Sequence, residues 1–140
     1  MADNSPTTAD RKASIFPVLS VRNGAEAMAF YMAAFGAKTH WRIDDGGSNL
    51  THLAVGSAEF WLADESPEYQ NFSPATLGGS TVCMVMVVED PDAVFEQAVA
   101  AGATVVEPLL NWPYPPPGWR IGRIVDPYGH QWEIRKPIAG

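Results

Sequence analysis

A chain of 140 residues, 46% of them hydrophobic, can bury one ordinary core and lacks the low hydrophobicity of a disordered protein. Its net charge of −7 would repel a phosphate backbone, so we expect no nucleic-acid partner. No stretch is long and apolar enough to span a membrane, and a single cysteine, Cys83, excludes an internal disulfide. These features predict a cytoplasmic protein with no membrane partner.

The first half of the chain predicts the order β-α-β-β-β. A short apolar run at residues 14–21 predicts a strand that ends in a turn. Asn23 is a suitable N-cap for a helix that ends at Gly36. The apolar residues that recur at helical spacing in this segment are Met28, Tyr31, Met32 and Phe35. Three further strands are predicted from KTHWRID, NLTHLAV and AEFWLAD, which Asp, Gly, Ser and Asn separate.

The second half repeats this order. STVCMVMVVED predicts a strand, and Asp90 with Pro91 predicts the start of a helix that Gly102 ends. The three strands after it are predicted from TVVEPLL, WRIGRIV and HQWEIRK. The two halves match at an offset of about 67 residues, which indicates an internal duplication, with a chance similarity of two βα units as the alternative.

The predicted organisation is a tail followed by one domain. Residues 1–13 are small, polar and aperiodic, and we interpret them as disordered. A single domain then covers residues 14–140. Its first module spans residues 14–66 and its second spans residues 79–137, with a linker at 67–78.

The closing segment DPYGHQWEI and the helix exit FYMAAFGAK, within two β-α-β-β-β modules, resemble the vicinal oxygen chelate superfamily. That superfamily includes glyoxalase I, extradiol dioxygenases, fosfomycin-modifying enzymes and bleomycin-resistance proteins. The resemblance covers about residues 14–137 and is strongest to the PhnB-like glyoxalase/bleomycin-resistance branch. It implies an α+β fold in which two tandem βαβββ modules form a curved mixed-sheet cup, with the helices outside.

Superfamily members that hold a metal place ligands on the first and last strand of each module. The resemblance puts these four positions at Phe16, Trp61, Cys83 and Glu133. A phenyl ring and an indole supply no ligand atom, and a thiol is at best a soft one. Only Glu133 is left as a hard-metal ligand, so we expect no metal and no cofactor.

The histidines leave two possibilities open. His52 should share the cup face with Ala54, where it could contact a ligand or accept a proton. A metal triad of His52, His130 and Glu133 would need a bulge, because His130 lies three residues before Glu133 and therefore on the opposite face of a regular strand.

Without a metal, the predicted site is a cup with aromatic walls. Such a site predicts binding of a small aromatic or cationic molecule and suggests antibiotic sequestration. A proline-rich loop would add three of the rings. The predicted ligand-binding residues are Phe16, His52, Glu59, Trp61, Cys83, Trp112, Tyr114, Trp119 and Arg135. The alternative is a lyase or isomerase of glyoxalase type that uses Glu133 as general base or metal ligand. The resemblance also implies a homodimer with two equivalent pockets.

Overall fold

The structure, a computed structural model, describes residues 12–44 and 49–139. Residues 1–11 of the predicted tail lie outside the described residues. The strands are β1 (Val18–Val21), β2 (Lys38–Asp44), β3 (Asn49–Val55), β4 (Ala58–Asp64), β5 (Cys83–Val87), β6 (Thr104–Trp112), β7 (Trp119–Val125) and β8 (Gln131–Pro137). The helices are α1 (Gly24–Phe35), α2 (Pro74–Leu77) and α3 (Pro91–Ala101).

The described residues form two four-stranded mixed sheets. Their strand orders are β1-β4-β3-β2 and β5-β8-β7-β6. In each sheet the first strand of the module runs parallel to the last, and the other neighbours are antiparallel. The predicted α+β fold of two tandem βαβββ modules is therefore confirmed.

The predicted caps fix the start of both long helices. Asn23 Oδ1 accepts a hydrogen bond from the Glu26 N–H at 3.1 Å, and Asp90 Oδ1 accepts one from the Ala93 N–H at 3.1 Å. At the end of α1, Gly36 takes the left-handed conformation with φ 66°, which a side chain would disfavour. These local signals set where each helix begins and ends.

One member of the predicted apolar stripe of α1 is not in the core. Met32 is 45% exposed, whereas Tyr31 and Ala34 are fully buried. The buried stripe passes through alanines, whose small side chains let the helix lie close to its neighbours. The helical spacing of Met32 predicted the helix correctly, although its own side chain is half-exposed.

The helix-covered sides of the two sheets share one core. Trp132 of β8 is 3% exposed, and its ring lies 4.8 Å from that of Phe35 and 5.6 Å from those of Tyr31 and Phe60, measured between centroids. A strand of the second module thus packs against a helix and a strand of the first. Truncating such a residue to alanine typically costs roughly 3–5 kcal/mol.

A buried carboxylate joins the modules at the turn before β8. Asp126 is 3% exposed. Its Oδ2 accepts hydrogen bonds from the Tyr31 hydroxyl and, at 3.0 Å, from Trp132 Nε1. Its Oδ1 accepts from the N–H groups of Tyr128 at 2.9 Å and His130 at 3.0 Å. The Asp in the DPYGH sequence therefore both shapes the turn and receives donors from the core.

The linker is tied to the first module. It contains a 3₁₀ turn at Pro67–Tyr69 and the short helix α2. Glu65 Oε1 accepts from the Ser73 N–H at 3.0 Å and from the Thr76 hydroxyl at 2.8 Å. These bonds hold the pKa of the Glu65 carboxyl below its usual value. The linker is thus an ordered connection whose helix α2 is fixed to Glu65, the residue that follows β4.

Unfolding at alkaline pH should test how much the buried Tyr31 contributes to the stability of the fold. Burial, and then the negative charge of Asp126, raise the pKa of Tyr31 well above its ordinary value. An unfolded tyrosine ionises near pH 10, so this contribution is fully present below pH 10 and is lost as the pH rises toward the folded pKa. We expect the free energy of unfolding, measured by urea denaturation, to fall between about pH 10 and 12.

Tyr31→Phe should flatten this pH dependence, although it lowers stability at pH 8 by removing a hydrogen bond. Tyr69→Phe is the matched control, because Tyr69 is 77% exposed and its loss should leave the slope as it is in the wild type. The same slope in wild type and Tyr31→Phe would contradict the assignment.

Candidate ligand-binding site

The outer face of the first sheet, opposite α1, carries a row of rings. We call Phe16, Trp41, His52 and Trp61 the aromatic face. His52 stacks on Trp61 with 4.5 Å between ring centroids and 5° between planes. Trp41 lies 5.8 Å from Trp61, and Phe16 lies 6.2 Å from it. Because Phe16 and Trp41 are 43% and 48% exposed, this row offers open ring surface to a ligand.

A β-bulge adds a further ring to the aromatic face. The register between β2 and β3 shifts between Thr39 and Trp41. His40 therefore reaches within 5.4 Å of the His52 ring, while Trp41 pairs directly with His52. Strand alternation alone would place only one of these two neighbours on this face, and no sequence signal marks the bulge.

Glu59 places a negative charge beside the stacked rings. Its Oε1 lies 3.2 Å from His52 Nε2, but the two groups are not aligned for a hydrogen bond and Nε2 is shielded from solvent. The Glu59 side chain is 48% exposed. The aromatic face thus combines ring surface with an accessible carboxylate, an arrangement that suits a cation.

The outer face of the second sheet is built around Glu133. We call Cys83, Trp119, Arg123, Glu133 and Arg135 the charged face. Arg123 Nη2 donates to Glu133 Oε2 at 2.8 Å, and Arg135 Nε lies 3.9 Å from Glu133 Oε1. The Arg135 guanidinium lies 4.5 Å over the Trp119 ring. The Glu133 side chain is only 16% exposed, and the main role of its carboxylate in the chain is to pair with these arginines.

The thiol on this face is not activated. Burial raises the pKa of Cys83, and the negative charge of Glu133 raises it further. A thiol with a raised pKa stays protonated at neutral pH and is a poor nucleophile and metal ligand.

The residues at the superfamily's ligand positions do not fit a divalent metal. Phe16 and Trp61 lie on the aromatic face, and Cys83 and Glu133 lie on the charged face of the other sheet. The second pair supplies a protonated thiol and a carboxylate that is already bonded to Arg123. No three His, Cys, Asp or Glu side chains within residues 12–44 and 49–139 are grouped so that they could hold a metal ion.

His130 has a structural position. It is 9% exposed, and its Nε2 lies 2.9 Å from the Ser20 carbonyl oxygen, to which the ring must donate because a carbonyl only accepts. It therefore lies at the junction of the modules, away from both outer faces. The structure does not assemble the alternative triad of His52, His130 and Glu133 within the chain.

The aromatic residues of the proline-rich loop lie at the second sheet. Trp112 of β6 pairs with Trp119 of β7, and its ring contacts that of Tyr114 edge-on at 6.4 Å. Trp112 is 52% and Tyr114 is 64% exposed. A pocket of about 320 Å³ lies beside them, lined by Glu107, Leu110, Trp112 and Ile121. The predicted site residues thus fall into two groups, with Phe16, His52, Glu59 and Trp61 on the first sheet and the others on the second.

Paired βαβββ modules that each form a four-stranded mixed sheet define a class of α+β proteins. A family model described as the Glyoxalase/Bleomycin resistance protein/Dioxygenase superfamily matches residues 14–134, and the chain belongs to this superfamily. No helix in the described residues has the length and apolar character needed to cross a membrane.

The chain is also similar to a curated relative and to solved structures. The chain is 35% identical over 130 residues to the uncharacterized protein Mb0911c of Mycobacterium bovis, with 89% of the chain and 84% of the relative covered. TioX from Micromonospora sp. ML1 has a TM-score of 0.68 at 23% identity, covering 91% of this chain and 98% of TioX. The fosfomycin resistance protein FosX from Listeria monocytogenes has a TM-score of 0.67 at 12% identity, covering 92% and 94%. At these identities the two structures support the fold alone.

Proposed function

We propose that this protein belongs to the PhnB-like branch and binds a small aromatic or cationic molecule without a metal, sequestering it as an antibiotic-binding protein would. The observation that carries the proposal is the row of rings around Trp61, in which His52 stacks on Trp61 and the flanking Phe16 and Trp41 are half-exposed. Two of the superfamily's metal-ligand positions, Phe16 and Trp61, belong to this row. A planar ligand can stack there, and each aromatic contact is worth about 0.5–1.5 kcal/mol beyond area burial.

We also propose that the pocket is completed by a second copy of the chain. Each outer face is open, and both carry exposed apolar side chains that monomeric proteins rarely leave uncovered. On the first sheet these include Phe16, Trp41 and Ile43; on the second they include Val85, Val87 and Trp112. Pairing the aromatic face of one copy with the charged face of the other gives a homodimer with two equivalent pockets.

The catalytic alternative, a glyoxalase-type lyase or isomerase, is less well supported. Arg123 donates to Glu133 Oε2, which leaves Oε1 as the oxygen that could take a proton or bind a metal. Sequestration does not need this carboxylate. FosX, a fosfomycin resistance protein, makes antibiotics sensible first ligands to test. The cytoplasmic location stays a prediction.

A thermal-shift screen should detect ligand binding at the aromatic face. With ethidium, 1-naphthalenesulfonate and fosfomycin as first probes, we expect a planar cation to raise the melting temperature. A ligand at about 100 times its Kd adds roughly 2.7 kcal/mol of stability. Trp61→Ala should abolish this shift while circular dichroism shows an intact fold, because the ring at the centre of the stack is gone.

Tyr69→Ala is the control, since it removes an exposed ring from the linker, away from the stack. Equal stabilisation of Trp61→Ala and wild type would contradict the proposed site. Stoichiometric zinc or nickel in protein purified without a histidine tag, lost on Glu133→Ala, would overturn the metal-free proposal.

A further inference from the structure

A cleft of about 600 Å³ lies between the β3–β4 hairpin of the first module and β5 of the second. Its lining consists of residues 55–60, residues 84–89 and Trp132. The volume falls within the roughly 300–1,000 Å³ of small-molecule sites. The cleft lining contains none of the rings of the aromatic face, although it includes Glu59, whose carboxylate lies beside His52. The function proposed above does not use the rest of the cleft.

The floor of the cleft is apolar and adaptable. Phe60 and Trp132 are 5% and 3% exposed, so only ring edges reach the cavity. Met84 and Met86 are partly buried and pack against the same core. Thioether side chains are flexible and polarisable, which lets them fit an apolar body of varied shape.

One wall of the cleft is the open edge of the second sheet. In that sheet β5 pairs only with β8, and the Val88 N–H donates to the Arg135 carbonyl at 3.0 Å. In a parallel ladder alternate residues bond to the neighbour, so the backbone N–H and C=O groups of Val85 and Val87 point to the open edge. Their carbonyl oxygens can accept from an N–H donor in the cleft.

The charged groups of the lining are both acidic. They are Glu59 and Glu89, and the lining contains no Lys, Arg or His. Lys136 Nζ donates to the main-chain oxygen of Glu89 at 3.0 Å, which leaves two carboxylates against one ammonium at this rim. A cationic group is therefore favoured at the mouth of an otherwise apolar cavity.

We propose that this cleft is a second binding site and that it takes a hydrophobic amine. The apolar body lies on the methionines and ring edges, and the ammonium group pairs with Glu59 or Glu89 and the carbonyls of the β5 edge. The site goes beyond the proposed function, since its chemistry is independent of Trp61.

Methionine methyl spectra would locate the ligand directly. With [13C-methyl]methionine protein, we expect titration of 1-aminoadamantane to shift the Met84 and Met86 signals and leave those of Met28 and Met32 on α1 in place. 1-Adamantanecarboxylate has the same body and the opposite charge, and it should bind at least tenfold more weakly. Equal binding of amine and carboxylate would overturn the proposal.

Paired variants then test the charge and the cavity. Glu59→Gln with Glu89→Gln should weaken amine binding about tenfold, whereas Glu68→Gln with Glu96→Gln, which removes two exposed carboxylates elsewhere, should not. Met86→Trp should fill the cleft and remove binding, and the glutamine pair still decides if that variant does not fold.

Two further results separate this site from its rivals. Trp61→Ala must keep amine binding, and its loss there would place the amine on the aromatic face instead. If the Met84 and Met86 methyl signals shift when the protein is diluted but not when the amine is added, a second copy of the chain fills the cleft. That result would overturn the proposal.

Discussion

Replacing Asp126 by asparagine is expected to lower the free energy of unfolding by about 3 kcal/mol. Its Oδ2 accepts from both Tyr31 and Trp132 in the core. An asparagine has one carbonyl oxygen and one NH₂ group. Its NH₂ group would face either the two side-chain donors of the core or the two backbone N–H groups of the turn. An indole N–H cannot become an acceptor, so Trp132 would be left without a partner or the turn would have to move. In calorimetry this corresponds to a fall in Tm of about 10 °C.

Asp92→Asn is the matched control, because Asp92 lies at the surface, where it pairs with Arg120, and its loss should leave Tm nearly unchanged. Trp132→Phe removes the donor that asparagine cannot satisfy. The double variant should therefore be less destabilised than the sum of the two single variants. Additive effects, or an unchanged Tm for Asp126→Asn, would show that this carboxylate is not the anchor of the turn.

A charged residue at Val85 is expected to convert a dimer into a monomer. Val85 lies on the outer face of β5 and is 45% exposed in the single chain. If the aromatic face of a second copy covers it, Val85→Asp buries a second carboxylate beside its cross-strand neighbour Glu133, and this burial and repulsion cost several kcal/mol. Light scattering after size exclusion should give about twice the 15.2 kDa chain mass for the wild type and the single mass for the variant.

Val99→Asp provides the comparison, since Val99 is 37% exposed on α3, on the helix side of the second sheet. It should leave the mass at that of the dimer. A wild-type protein that stays monomeric at high concentration would refute the shared pocket, and the aromatic face would then have to bind its ligand alone.

Three of the four strands of the first module could be predicted to the residue, whereas β1 begins at Val18, four residues later than the run at 14–21 suggested. KTHWRID, NLTHLAV and AEFWLAD match the observed β2, β3 and β4, because alternating side chains and turn residues are local signals. The N-caps at Asn23 and Asp90 are equally local and were found for the same reason. The same alternation is seen in β8, where Trp132 and Ile134 are buried and Glu133 between them lies on the outer face.

The sequence could not show the contacts between residues that lie far apart in the chain. The Tyr31 hydroxyl reaches a carboxylate 95 residues away, and no local pattern encodes that contact. The same holds for Arg123, whose bond to Glu133 depends on the register of β7 against β8. The candidate residues lie on the open faces of two sheets, and no local pattern in the sequence sets how those two faces lie relative to each other.

The bonds that cross between the modules decide whether the two halves could fold independently. Tyr31 and Ser20 in the first half bond to Asp126 and His130 in the second. A fragment ending in the linker would expose the first pair to water, and the remaining fragment would expose a carboxylate and the Trp132 ring. Cleavage in the linker should therefore produce two fragments that fold only in each other's presence. The two modules share one βαβββ order, but neither should fold alone.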